Sequence, residues 1–476
     1  MKSSSTYAKT RRYELILWIA LTCFLSVCFF FIVHNAQWLM GDEAIIIGHT
    51  GIGKAFSMRG FEGMITSYGR LYPFAYTFYN VLLPFYDGYI PPSATYTLQG
   101  LSLVVFAVFF ALLALRLLRN CASPWKYATV FFFTVICVFR VYVEFITCYT
   151  GIWIVFLFLP VFLFFFSRFM DSEKWVDAIA ALLAVNYIIY CYETVFTIPL
   201  AVGMCELLFR YRELTPRKRA FSWMLVGSGL LFLALYAILV LPNASNFYHH
   251  YGTTSFFPNA VRMFLANKIY CLSAVVLVVR LVEILWKKTP YTLCDSLLLA
   301  AFAYFLGAVV LKLDCTYYYN VGALVGLTAC LYFLNSWLKP QWLCLVMLAI
   351  ALFYGRKIPG VIRRYQGDRV GVIRQMEVLA TQLEKQESVY WYEPASDDLT
   401  PEYLDFRESA RMTVEAYLGW MRKGDVSLER KQSFDNSPGI WLVYSGKDEE
   451  VPKTPEELAP FKRVYSTAMI YGYKCE

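Results

Sequence analysis

Two carboxylates stand just past the first apolar run of the chain, in Gln37-Trp38-Leu39-Met40-Gly41-Asp42-Glu43. Tyr68-Gly69-Arg70-Leu71-Tyr72-Pro73 follows after about 27 residues. A carboxylate at a fixed helix end can take a proton from an attacking hydroxyl, and Arg or Lys can stabilise a departing phosphate. Further along, Glu193 is flanked by apolar sequence. Lys312-Leu313-Asp314-Cys315-Thr316-Tyr317-Tyr318-Tyr319-Asn320 joins two apolar runs. Lys312 offers a second phosphate ligand, and tyrosines such as Tyr317 can stack on sugar rings or sit in an interfacial belt.

The elements that position these residues are membrane helices. Of the 476 residues 58% are hydrophobic, 18% aromatic and 16% charged, against about 45–50% apolar and 25% charged in a soluble domain. The first 355 positions hold 40 charges and the last 121 hold 38, which predicts a membrane body over 1–355 and a small α/β domain over 356–476. The net charge of +8 is not gathered on one soluble face, so no nucleic-acid partner is expected; the partner is the lipid bilayer.

At about 20 apolar residues per crossing, spans are predicted near 14–34, 96–118, 127–146, 151–168, 175–192, 193–211, 221–241, 263–286, 291–312, 317–337 and 340–355. The run over 175–211 must fold as a tight hairpin with Glu193 at its tip. Seventeen Lys and Arg fall on one set of alternate connections and six on the other. The positive-inside rule then puts the N-terminus in the cytoplasm and the C-terminal domain outside. The long connections, 35–95 and 242–262, lie outside as well. The aromatic stretch 71–86 is too short and broken to span, so it is expected to lie at or dip into the interface. In the tail, helices are predicted over 371–386 and 401–423, and strands over 388–392, 440–445 and 464–473.

The acidic pair opening the first long loop, the Gly69-Arg70-aromatic signature closing it, Glu193 and the 312–320 stretch together resemble the GT-C superfamily of polytopic membrane glycosyltransferases, and within it bacterial members similar to O-antigen glucosyltransferases. The resemblance implies a mainly α fold of about eleven transmembrane helices in the inner membrane, with a periplasmic C-terminal domain. It implies inverting transfer of one sugar from a polyprenyl-phosphate donor to a glycan or glycolipid acceptor of the cell envelope, such as lipopolysaccharide. By the same resemblance Asp42 is the base, with Glu43 as second choice or acceptor-orienting group. Arg70 and Lys312 hold donor phosphate. Glu193, Tyr72, Asp314, Tyr317 and His249, on the loop that covers the donor in such enzymes, bind substrate. No organic cofactor is implied. No Cys or His cluster has metal spacing, and whether loop carboxylates converge on a divalent metal is left open.

Other readings compete. Asp42 could cap a helix and pair with Arg70. Trp391, Trp420 and Trp441 in the tail could form a sugar platform, though core packing is favoured. Gly48-His49-Thr50-Gly51-Ile52-Gly53-Lys54 has P-loop spacing, yet Ala55 stands where the magnesium-binding hydroxyl belongs. A lipid or polysaccharide transporter, and a glycan polymerase or ligase, are the alternative functions. Transporters tend to carry midplane charges and internal repeats; here the acids cluster at interfaces and no halves repeat.

Overall fold

The computed structural model describes residues 2–34, 36, 65–66, 69–75, 77, 85, 91–146, 152–243, 256–311, 316–382, 388–393, 428–444, 458–466 and 470–475, with Arg407, Ala410, Arg411, Val414, Glu415 and Leu418 in helical geometry between the last groups. Asp42, Glu43, His249, Lys312 and Asp314 lie outside the described residues, as do Trp420 and most of the 71–86 stretch.

Helices α1 (Lys2–Val33), α2 (Pro92–Leu117), α3 (Trp125–Ile146) and α4 (Ile152–Ser172) open the bundle. A short pair follows, α5 (Trp175–Ile189) and α6 (Thr197–Phe209), then α7 (Pro216–Leu235), which runs on through a π-helical turn at Tyr236–Val240. Next come α8 (Phe256–Ala266), α9 (Lys268–Leu285), α10 (Leu293–Val310), α11 (Asn320–Trp337) and α12 (Pro340–Gly355). Eight of the described helices are long and apolar enough to cross a membrane, and the chain is a multi-pass membrane protein. The predicted spans at 175–192, 193–211 and 263–286 differ. The first two form helices of 15 and 13 residues, and the third is broken at Asn267, whose side chain caps α9 by accepting from Ile269 N.

Local chemistry sets the helix starts. Proline at the first turn of α2, α7 and α12 loses no helical hydrogen bond there. Thr215 caps α7, and Thr292 with Asp295 forms a capping box on α10. Small residues then allow close packing: a Cβ on Gly203 of α6 would stand 2.7 Å from the Ser222 carbonyl of α7. Aromatic rings fill the centre, with Phe106 of α2 lying 6.1 Å from Phe145 of α3 and Phe110 lying 6.0 Å from Phe133.

Helices α1 to α7 alternate in direction, as do α9 to α12, so the bundle has two ends. One carries the short turns between α2 and α3, α4 and α5, α6 and α7, α9 and α10, and α11 and α12. The other carries the long connection between α1 and α2, the α5–α6 tip and the α10–α11 connection; it is called the long-loop end below.

Past α12, helix α13 (Ile358–Gln382) leads into a five-stranded sheet of order β2-β1-β3-β5-β4. Strands β1 (Val389–Tyr392), β2 (Leu428–Lys431) and β3 (Gly439–Tyr444) are parallel neighbours; β4 (Lys462–Ser466) and β5 (Ile470–Cys475) add an antiparallel hairpin. Helix α13 starts earlier than the predicted 371, the strand predicted at 464–473 is two strands, and β2 was not predicted because Leu428-Glu429-Arg430-Lys431 lacks apolar alternation. Trp391 and Trp441 are fully buried, with Trp441 Nε1 donating to the Ser437 carbonyl at 3.0 Å. They pack the core and are no sugar platform.

Candidate functional site

The tip of the α5–α6 hairpin and the end of the first long connection meet at the long-loop end. After α5 the chain turns at Tyr190–Tyr192 and makes a 3-10 turn over Glu193–Phe196, which carries Glu193 inward until only 4% is exposed. Arg70 meets it in a bidentate contact, Nε to Oε1 at 2.9 Å and Nη2 to Oε2 at 2.8 Å, and Leu71 N donates to Oε1 at 3.2 Å. Such fork-to-carboxylate pairs fix geometry as well as charge. Gly69, at φ 60, supplies the left-handed turn that presents Arg70, and Tyr236 of the π turn donates to its carbonyl at 2.9 Å. Phe74 N donates to the Tyr190 carbonyl at 3.0 Å, so backbone also joins the two segments.

Aromatic rings enclose this pair. The Arg70 guanidinium lies 4.3 Å from the Tyr72 ring centroid and 5.7 Å from that of Tyr192. Burial alone would lower the Arg70 pKa, and the Glu193 carboxylate more than reverses this, holding it well above its ordinary value. Burial, aided by neighbouring tyrosines, pushes the Tyr192 phenol well up. The guanidinium therefore stays charged and the phenol neutral over the whole physiological range.

A row of rings leads away from it. Tyr192 stacks on Tyr318 at 5.5 Å, and Tyr318 lies 4.1 Å from Tyr317. Both belong to a 3-10 turn over Thr316–Tyr319 that leads directly into α11. Tyr304 of α10 anchors that turn: it donates to the Tyr318 carbonyl at 2.8 Å and accepts from Thr194 at 3.1 Å.

Tyr317 lines a cavity of about 500 Å³ between α3, α11, α12 and α13, a volume ordinary for small-ligand sites. Arg140, Glu144 and Asn320 share its wall with Tyr354 and Lys357. Asn320 links the first two: its side-chain oxygen accepts from Arg140 Nη2, and its amide nitrogen donates to Glu144 Oε1 at 2.9 Å and to the Arg140 carbonyl at 3.0 Å.

The structure thus gathers Arg70, Tyr72 and Glu193 into one cluster and ties Tyr317 to it through Tyr318 and Tyr192. Arg140 is the residue that sequence reasoning missed. Its signal was present: it is the sole cation in the predicted span 127–146, four residues from Glu144 on one helix face, and ionisable groups inside spans mark function by default. Among the described residues no group of three or more His, Cys, Asp or Glu is placed to hold a metal.

This bundle, with a small sheet after its last helices, is a known fold. It is shared with ArnT from Cupriavidus metallidurans, solved in the apo state: the superposition has a TM-score of 0.50 at 13% sequence identity and covers 95% of this chain and 97% of that one. No protein-family model matches the chain, and no curated protein matches it by sequence.

Proposed function

We propose that the protein is an inverting glycosyltransferase of the inner membrane that moves one sugar from a polyprenyl-phosphate donor to a glycan or lipid-linked acceptor. The long-loop end faces the periplasm, the N-terminus lies in the cytoplasm, and the residues from 356 form a periplasmic domain. The observation that carries the reading is the gathering of Arg70, Glu193 and the tyrosine row at the long-loop end of a fold shared with ArnT, a GT-C glycosyltransferase.

Outside the cytoplasm no nucleotide sugar is at hand, so a lipid-linked sugar is the donor. Asp42 takes the acceptor hydroxyl proton while that oxygen attacks the anomeric carbon from the face opposite the phosphate. The bond from anomeric carbon to phosphate oxygen breaks, polyprenyl phosphate leaves, and configuration inverts in one displacement. Glu43 orients the acceptor. Lys312 and Arg70 stabilise the charge on the leaving phosphate. The bidentate contact with Glu193 engages Nε and Nη2 of Arg70. Glu193 thereby fixes the plane of Arg70 beside Tyr72, whose ring, with Tyr317, Asp314 and His249, contacts substrate.

The test is transfer of labelled sugar from a panel of polyprenyl-phosphate monosaccharides to host lipid extract by the purified protein. Asp42→Asn is expected to lose roughly 10²–10⁴-fold in rate, the range for a positioned base. If folded Asp42→Asn and Glu43→Gln proteins both match the wild-type rate, the proposal fails. Products carrying one sugar support it, whereas transfer of a preassembled repeat unit would identify a polymerase or ligase instead.

A further inference from the structure

We infer that the outward face of α13, on the side away from the cavity, docks anionic phospholipid headgroups of the surrounding bilayer. Between positions 356 and 374 the sequence holds six Lys and Arg, namely Arg356, Lys357, Arg363, Arg364, Arg369 and Arg374, against one acid, Asp368. The helix sorts its residues by face. Ile358, Val361 and Tyr365 line the cavity, with Ile362 partly buried beside them. At about 100° per residue, Arg363 and Arg374 stand nearly opposite, and both are exposed. Gly360 and Gly367 share that side, and a Cβ on either would meet no atom within 4 Å. Among the described residues no carboxylate pairs with Arg356, Arg363 or Arg374. The face is cationic, unpaired and open to close approach.

Depth places this face among headgroups. Helix α12 has 16 residues, about 24 Å at 1.5 Å per residue, against a hydrocarbon core of about 30 Å. The crossing therefore needs the first turns of α13 to finish it, and the stretch apolar enough to cross does run on to Gly367. Even on a straight course Arg363 would stand about 35 Å from Pro340, within the headgroup layer that extends about 5–8 Å past the core. This stretch also lies on the outside of the bundle, since only 11% of its most apolar part is buried. Arg356 follows the exposed Leu352 by four residues and lies over the Phe353 ring at 4.6 Å, so it continues the lipid-facing stripe of α12. Positions 356–374 hold as many Lys and Arg as the six in all the long-loop connections before them, so the concentration is particular to α13. A cation near an anionic membrane surface gains about 1 kcal/mol, and a guanidinium can fork onto a phosphate. The inference concerns the bilayer around the protein and rests on neither the donor nor the proposed transfer.

The experiment measures backbone hydrogen exchange over 356–374 in the whole purified protein. It compares nanodiscs of phosphatidylcholine with nanodiscs of equal parts phosphatidylcholine and phosphatidylglycerol. Exchange in that segment is expected to slow several-fold with phosphatidylglycerol, and to recover in 1 M salt, where charges are screened beyond about 3 Å. A protein carrying Arg356→Gln, Arg363→Gln and Arg374→Gln, all at exposed positions, is expected to lose the slowing while unfolding near the wild-type midpoint. Arg140→Gln, on the cavity wall, is expected to keep it, which separates the outward face from any lipid held in the cavity. Should the triple variant not fold, Arg363→Gln alone is expected to lose part of the slowing. Equal exchange in the two kinds of nanodisc, slowing that survives in the folded variants of α13, or slowing that Arg140→Gln removes would overturn the inference. Protection already present in phosphatidylcholine that rises with protein concentration would also overturn it, and give the face to a second copy of the chain.

Discussion

Arg140 and Arg280 are both arginines within apolar helices, near opposite ends of the bundle, and their surroundings differ in kind. Arg280 of α9 is saturated. It donates from Nε and Nη2 to the two Asp295 oxygens at 3.0 Å each, to Glu283 at 2.7 Å, and to the Pro290 carbonyl at 3.2 Å. The Phe333 ring lies 4.6 Å from it. Glu283 in turn accepts from Trp337 Nε1 at 3.1 Å, which ties α9, α10 and α11 together. Among the described residues Arg140 has one side-chain acceptor and one ring, and its buried Nε has no hydrogen-bond partner. The same residue type is thus saturated at the short-turn end and sparsely bonded at the long-loop end.

Breaking the Arg280 cluster has the largest expected effect. Arg280→Gln leaves Asp295 and Glu283 without their cation in a buried setting, and such losses run to about 3–5 kcal/mol. Thermal unfolding in detergent should show the lowest midpoint of the series, with little protein recovered folded. Glu193→Gln comes next. It keeps the shape but removes the charge that holds Arg70, with an expected cost of about 1–3 kcal/mol and a fall in transfer rate as Arg70 loses its fixed plane. Unfolding and transfer assays on one preparation would separate the two effects.

Arg140→Gln sharpens the contrast, because it gives up only the bond to Asn320 and the contact with the Tyr354 ring among those described. The expected stability change is about 0.5–1.5 kcal/mol, well short of Arg280→Gln. A fall as large as that of Arg280→Gln would show that Arg140 is a structural tie like Arg280.

The smallest effect belongs to the tail. Asp435 accepts from Ser437 and Lys431 and is held down at about 2 by these contacts, the Ser437 hydroxyl foremost. A carboxyl lowered on folding stabilises above its unfolded pKa and loses that contribution as pH falls through the folded one. Wild type and Asp435→Asn should therefore differ in midpoint at pH 5 and converge as pH drops from about 4 towards 2. A difference that persists unchanged below pH 2 would contradict the assignment.

Which parts were legible in the sequence follows from range. Helix positions come from runs of apolar residues, a local property, and a 20-residue ruler found them, including the hairpin with Glu193 at its tip. The ruler ran over Asn267 because a capping side chain inside an apolar run barely changes mean hydropathy. The partner of Arg70 was not legible. Glu193 lies 123 positions away, and sequence alone suggested the nearer Asp42. The setting of Arg140 was not legible either: Glu144 stands four residues on, and only the placement of Asn320, 180 positions away, shows that an amide bonds both side chains. Strand β2 was hidden by its charges, which an edge strand tolerates and even favours.

The measurement that bears most directly on the account is transfer of labelled sugar from polyprenyl-phosphate donors by wild-type protein and Asp42→Asn side by side. The account predicts label in a single-sugar product with wild type, and a loss of roughly 10²–10⁴-fold in rate with Asp42→Asn in protein that unfolds near the wild-type midpoint. Folded wild-type protein that transfers no sugar from any donor in the panel to host lipid extract would contradict it.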